Sequence, residues 1–149
     1  MRILLALDGS KHSAVVRDAL IAQAKTSNAE VYLLHVVEPF PLDLAQKLGS
    51  RDSPDFAAAR LEQRECAKEM LAQAAEMLRS AGFKVTSSVE EGDARSVILD
   101  RAATWDTDLI MVGSHGRTGL VELLMGRVSE AVSRHAGCSV EIVRIRSAR

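Results

Sequence analysis

The stretch ILLALDGS, residues 3–10, decides the class of fold that the sequence predicts. Its five consecutive apolar residues, Ile3 to Leu7, are followed at once by an aspartate, a glycine and Ser10. An uninterrupted apolar run of this length is typical of a central parallel strand that helices cover on both faces. Because Ser10 is a plausible helix N-cap and apolar residues then recur at helical spacing, a first helix is predicted over residues 11–26.

The alternation of strand and helix continues to the end of the chain. Further strands are predicted at residues 31–37, 83–89, 108–112 and 140–145, and further helices at residues 55–81, at residues 94–104 and after Gly126. Gly82 is the expected stop of the long helix and Asp93 the expected cap of the next. The order βαβαβαβαβ predicts a single-domain, doubly wound α/β fold with a five-stranded parallel sheet and helices on both faces.

Length, composition and charge limit what the protein can be. With 149 residues, 47% of them apolar, and a formal net charge of −1, the chain fits one globular domain without a long block of like charges. We therefore expect neither a nucleic acid nor a membrane as partner. No apolar segment approaches the roughly 20 residues of a membrane span, and the N-terminal apolar run is too short for a signal peptide, so a cytoplasmic location is expected.

A second stretch, GSHGRTGLVELLMGR at residues 113–127, is the strongest candidate for a binding site. Glycines let the backbone turn sharply and bring bare N–H groups close to an anion, and the N-terminus of the helix after Gly126 favours negative charge. In open α/β sheets the ligand crevice lies at the carboxyl ends of the strands, where Asp8 and Gly113 are both expected. The stretch matches neither the dinucleotide fingerprint nor the P-loop, so from these residues alone a plain structural turn remains as good an interpretation as a phosphate site.

The spacing of the glycines resembles that of a known family. Gly113-x-x-Gly116, followed after nine residues by Gly126, resembles the nucleotide-binding signature of the universal stress proteins, and ILLALDGS, VYLLHVVEP and HAGCSVEIVR are similar to that family's sequences. The resemblance implies the strand order 3-2-1-4-5 and homodimers paired through the last strand, here Val140–Ile145. It also implies bound ATP with a divalent metal such as Mg²⁺ or Mn²⁺.

The resemblance further implies which residues bind the nucleotide. Ala6, Leu7 and Asp8 would border the adenosine, and Val36 would meet the adenine edge through its backbone. The ribose and phosphates would be surrounded by Gly113, Gly116, Gly126, Arg127, Val128 and Ser129. From the residues themselves, Arg117 in the glycine loop is a further candidate to meet the anion, although an arginine in a polar loop is more often only solvated.

Several side chains leave two interpretations open. The family usually has Ser or Thr where this chain has Arg127, whose guanidinium can pair with phosphates or can block the pocket or turn to solvent. Asp8 can hydrogen-bond its own turn or face the ligand. His35, the polar interruption in the apolar strand VYLLHVV, fits a core or surface role better than a metal site.

The sequence thus predicts a cytoplasmic, ATP-binding regulatory protein of the stress response that acts as a nucleotide-dependent dimeric module. Two other functions stay open: a dimeric interaction protein that does not bind nucleotide, and a weak ATPase or phosphotransfer enzyme. No nucleophile with an adjacent base emerges, so efficient catalysis is not indicated. The long connection from Glu38 to Pro54 is a candidate flap over the site.

Overall fold

A computed structural model describes residues 1–24, 28–40, 46–47, 49, 53–114 and 126–144. The strands within these ranges are β1 (Arg2–Ala6), β2 (Glu30–Val37), β3 (Lys84–Glu91), β4 (Leu109–Gly113) and β5 (Ser139–Val143). The helices that connect them are α1 (Ser13–Gln23), α2 (Pro54–Ser80), α3 (Ala94–Thr104) and α4 (Arg127–His135). The strands form one parallel sheet in the order β3-β2-β1-β4-β5, which confirms the predicted doubly wound α/β fold and its strand order.

Strand β1 lies at the centre of the sheet, and its position explains the apolar run that opens the sequence. Ile3 and Leu5 pack on one face against α1 and α2, whereas Leu4 packs on the other face against α3 and α4. Each of these side chains is at most 2% exposed. Because both faces are covered, β1 has no solvent side on which a polar residue could alternate, and each buried side chain stabilises the fold by roughly 1.5–3 kcal/mol.

Helix α1 begins later and ends earlier than the predicted range of residues 11–26. It runs from Ser13 to Gln23, and Ser10 is not its N-cap. The reason is a local turn in which the Asp8 carboxylate accepts hydrogen bonds from Ser10 N at 2.9 Å and from Ser13 Oγ at 3.2 Å. Gly9 takes a φ of +78° within this turn. Side-chain bonds of this kind compete with helical backbone bonds, so the helix starts only after the turn is complete.

Helix α2 ends in a motif that the sequence predicted from one glycine. Gly82 has a φ of +100°, Phe83 N donates to Leu78 O at 3.1 Å, and Gly82 N donates to Arg79 O at 2.9 Å. This pair of bonds is the Schellman arrangement, which satisfies two carbonyls at the helix end and favours glycine in the left-handed conformation. It directs Phe83 into the core beneath the sheet, where it is 4% exposed.

The N-terminal part of α2 rises beside the carboxyl end of the sheet. A helix of 27 residues spans about 40 Å, whereas a strand of 8 residues spans about 26 Å. Arg60 and Arg64 in this part of the helix both pair with Glu91 at the end of β3. Hydrogen bonds from these two guanidinium groups lower the pKa of the Glu91 carboxyl, so both ion pairs are formed at neutral pH.

Other predicted features agree with the structure or lie partly outside it. Asp93 caps α3 as predicted, accepting a hydrogen bond from Ser96 N. Strand β5 ends at Val143, earlier than the predicted end at Ile145, which lies outside the described ranges. Most of the connection from Glu38 to Pro54 lies outside them as well. In the part of the chain that the structure describes, no helix is long and apolar enough to cross a membrane.

We predict that Gly82→Ala destabilises the protein by about 1–2 kcal/mol, because alanine is strained in the left-handed conformation. An added Cβ at Gly82 would meet nothing within 4 Å, so the cost comes from the backbone alone. Thermal unfolding should show a loss of roughly 2–4 °C per kcal/mol for a chain of this length. Gly137→Ala, where an added Cβ also meets nothing within 4 Å and φ is not left-handed, is the matched control and should not lower Tm. Equal losses in the two variants would contradict the assignment.

Candidate functional site

A cleft opens where the chain leaves the centre of the sheet in opposite directions. Strand β1 connects through α1 to β2 on one side, and β4 connects through α4 to β5 on the other. The cleft is small and open to solvent. It lies at the carboxyl ends of β1 and β4, and its lining is Ala6, Leu7, Asp8, His12, Ser13, Val16 and Gly113. Ligand crevices of doubly wound folds form at this topological switch point.

Asp8 hydrogen-bonds its own turn and also lines the cleft. One of its carboxylate oxygens, Oδ1, accepts the bonds from Ser10 N and Ser13 Oγ that shape the turn. The same residue lines the cleft and is half-buried. The turn therefore fixes the position of the carboxylate, and none of the hydrogen bonds among the described residues involves its other oxygen, Oδ2.

The backbone of Val36 faces the cleft edge beyond the end of β1. Leu7 N donates to Leu34 O at 2.9 Å, so Leu34 directs its backbone groups towards β1. Gly92 N donates to Val37 O at 3.1 Å, so Val37 directs its groups towards the β3 side. Since backbone direction alternates along a strand, Val36 directs its N–H and C=O towards β1, which has already ended. Among the described residues, no backbone bond joins Val36 to that side.

Helix α4 presents its N-terminus next to the carboxyl end of β4, where Gly113 lines the cleft. Gly126 is its N-cap and has no side chain to satisfy the first N–H groups. Gly126 N donates to Ser114 O at 2.8 Å, and Glu130 N donates back to Gly126 O at 3.0 Å. The intervening N–H groups, at residues 127–129, have no backbone acceptor in the described part of the chain. Together with the helix dipole, such free N–H groups favour an anion.

The predicted site residues of this helix have separate positions. Ser129 is 2% exposed, and its hydroxyl donates to Gly126 O at 3.0 Å, with Ser114 O at 3.4 Å. This side chain is therefore engaged inside the protein, and only the backbone N–H of Ser129 is left for an anion. Val128 is half-buried and packs against the core, whereas Arg127 has an exposed side chain.

We predict that Ser129→Ala lowers the free energy of unfolding by about 1 kcal/mol, because a buried hydrogen bond at the first turn of α4 is lost. The matched control is Ser133→Ala, which removes an exposed hydroxyl that donates to Glu130 O at 2.8 Å. The control should change stability by less than about 0.5 kcal/mol. Urea unfolding measures both values, and equal effects would contradict the anchoring role of Ser129.

Two of the predicted residues cannot be placed, and the sequence analysis missed one neighbour of the site. Gly116 and Arg117 lie outside the described residues. The missed residue is His35, whose ring Nδ1 lies 2.7 Å from Leu7 O and whose side chain is buried. His35 stands out in the sequence as the one polar side chain in an apolar strand, and a core or surface role was expected for it. The structure gives it the core position, whereas its bond to Leu7 was not predicted.

No group of three potential metal-binding side chains is present within the ranges that the structure describes. Asp8 is the carboxylate among the residues that line the cleft.

Solved structures with the same fold include proteins that bind nucleotides. The hypothetical protein MJ0577 is 26% identical, with a TM-score of 0.84 over 99% of this chain and 97% of that one. Three others were solved with a ligand: a universal stress protein with cAMP (21% identical, TM-score 0.65), an Arabidopsis thaliana family member with AMP (18%, 0.66) and the Archaeoglobus fulgidus protein with dAMP (20%, 0.64). Each of these alignments covers at least 96% of this chain and at least 93% of the other. At such identities they show the fold alone.

Sequence comparisons identify the family. The profile of the universal stress protein family matches residues 1–144. Universal stress protein A homolog 2 of Coxiella burnetii is 35% identical over 144 residues, which cover 97% of this chain and 93% of that protein. Universal stress protein YxiE of Bacillus subtilis is 32% identical over 145 residues, which cover 96% and 98%. The chain therefore belongs to the universal stress protein family.

Proposed function

We propose that the cleft at the end of β1 and β4 binds an adenine nucleotide, and that the protein is a nucleotide-dependent dimeric regulatory module. The observation that carries this proposal is two sets of open backbone groups at the carboxyl edge of the sheet, one beside the end of β1 and one beside the end of β4. Val36 offers an N–H and a C=O on one side, and the first turn of α4 offers three N–H groups on the other. A base fits the first pair and a phosphate fits the second.

The ligands of related folds support the same chemistry. AMP, dAMP and cAMP, the molecules bound in three structures of this fold, share an adenine base and one phosphate. We extend the proposal to ATP with Mg²⁺ or Mn²⁺. The first turn of α4 would bind phosphate oxygens, and the Asp8 carboxylate would help to hold the metal ion beside them. The metal would neutralise phosphate charge when bound.

Arg127 is compatible with this proposal because the phosphate contacts come from backbone N–H groups. Arg127 is the first residue of α4, and its exposed side chain leaves its N–H available to the cleft. A guanidinium at this position can add charge to phosphate binding without being required for it. The departure from the family's usual Ser or Thr therefore changes a side chain and leaves the backbone cradle in place.

We predict that Arg127→Pro binds ATP about tenfold more weakly than the wild type, while Arg127→Ser stays within about threefold. Proline removes the N–H but suits the first position of a helix, and Gly126 has the extended conformation, φ −65° and ψ 161°, that is compatible with a following proline. Serine keeps the N–H and removes only the guanidinium. Calorimetric titration with ATP, with and without Mg²⁺, measures the three affinities.

Adenosine is the control ligand in this experiment, because it has no phosphate and all three proteins should bind it equally. Binding of ATP by Arg127→Ser but not by the wild type would mean that Arg127 blocks the site. No binding by any of the three would contradict the nucleotide proposal and favour an interaction protein without nucleotide.

We also propose that two copies pair through β5. This strand is an edge of the sheet, and no described strand lies on its outer side. Ser114 N donates to Val143 O at 2.9 Å, so alternate residues, Val140 and Ile142, direct their backbone groups outwards. An edge with free backbone groups and apolar side chains favours pairing with a second strand.

The expected cytoplasmic location stays a prediction.

We predict that Val140→Pro weakens the dimer about tenfold or more, because proline removes an outward N–H that edge pairing needs. Val140→Ala is the control, since it shortens the side chain but keeps the N–H. Sedimentation equilibrium measures the dissociation constant of each variant. A proline variant that dimerises as tightly as the alanine variant would contradict pairing through this edge.

A further inference from the structure

We propose that His35 is a positioning residue that keeps the N–H of Val36 open for the base and thereby sets a preference for adenine over guanine. The proposal rests on the nucleotide function above. In this proposal the buried His35 side chain ends the hydrogen-bond ladder between β1 and β2 at the edge of the cleft.

The register of the two strands shows where the ladder would otherwise end. Ala6 pairs with Leu34, and Leu7 N donates to Leu34 O at 2.9 Å. In a parallel ladder the next bond would run from Val36 N–H to Leu7 O. That bond is not formed among the described residues.

The imidazole of His35 bonds to Leu7 O instead. Its Nδ1 lies 2.7 Å from Leu7 O, and the side chain is 5% exposed. Because a carbonyl only accepts, Nδ1 must carry the proton and donate it to Leu7 O. The side chain that bonds Leu7 O and the N–H that does not come from adjacent residues of one strand. In this proposal the imidazole bond holds Leu7 O away from the N–H of Val36.

The open N–H has a chemical consequence for the ligand. Val36 presents a donor and an acceptor side by side at the cleft edge. Adenine offers the complementary pair on its Watson–Crick edge, a ring nitrogen that accepts and an amino group that donates, whereas guanine offers the reverse. A Val36 N–H bonded to Leu7 O would leave only the carbonyl, and the preference between the two bases would fall.

Amide hydrogen exchange of the ligand-free protein tests the structural half of this proposal. In the wild type we expect Val36 N–H to exchange at least about a hundredfold faster than Leu34 N–H, which lies inside the ladder. In His35→Leu, which cannot donate, Val36 should become protected at least about tenfold. In His35→Asn, whose side-chain N–H can replace Nδ1–H, Val36 should exchange as in the wild type. Equal protection of Val36 and Leu34 in the wild type, or no change in His35→Leu, would overturn the proposal.

Titration with AMP and GMP tests the ligand half. We expect the ratio of AMP to GMP affinity to fall roughly tenfold in His35→Leu and to be retained in His35→Asn. The control is Tyr32→Phe, in the same strand as His35. It removes a side-chain bond of 2.9 Å to Ser88 of β3 and should leave the ratio unchanged. An unchanged ratio in His35→Leu would overturn the specificity role. A wild type that binds neither nucleotide would overturn the proposed function, while the exchange pattern would still decide whether His35 ends the ladder.

Discussion

The early end of β1 is the constraint on which the site depends. β1 has 5 residues and pairs on one side with β2, which has 8. The central strand is buried on both faces and holds the two halves of the sheet together, yet it stops before β2 does. Backbone groups that a longer β1 would have satisfied are therefore directed at the cleft. Buried or half-buried backbone groups need partners, so a ligand that supplies them gains binding energy.

The proposed site consists of backbone groups, which agrees with a sequence pattern of glycines. Gly126, the N-cap of α4, has no side chain that could cover the first N–H groups of the helix. The hydroxyl of Ser129 is engaged with main-chain carbonyls and anchors that turn to the end of β4. In the proposed site the anion contacts come from N–H groups and do not depend on the Arg127 side chain, whereas a change in the conformation of the turn would move those N–H groups.

Much of the fold could be predicted from the sequence, because the spacing of apolar residues and the turn and cap residues determine local structure. The buried run at β1, the stop at Gly82 and the cap at Asp93 each reflect one local interaction. The predicted start of α1 was wrong because the Asp8 carboxylate accepts hydrogen bonds from two groups of the following turn. The local sequence pattern of such a turn is the same as that of a helix start. The strand order came from a resemblance to a family, since spacing alone does not say which strands are neighbours.

The site was less predictable, because its geometry arises between strands that are distant in sequence. His35 meets Leu7 across 28 positions of the chain, and only the register of β1 and β2 brings them together. The inward direction of the Ser129 hydroxyl likewise depends on the position of Ser114 at the end of β4. A sequence identifies these residues as polar in apolar surroundings, but it does not identify their partners.

A titration of ¹⁵N-labelled protein with AMP, followed by two-dimensional NMR, tests the central claim most directly. The account predicts that the amide signals of Gly9, Val36 and residues 127–129 shift together along one saturation curve. The amides of Gly82 and Gly137, which precede β3 and β5 at the amino edge of the sheet, should stay in place. Saturable binding whose shifts lie elsewhere, or an unchanged spectrum at high AMP concentration, would contradict a nucleotide site at the end of β1 and β4.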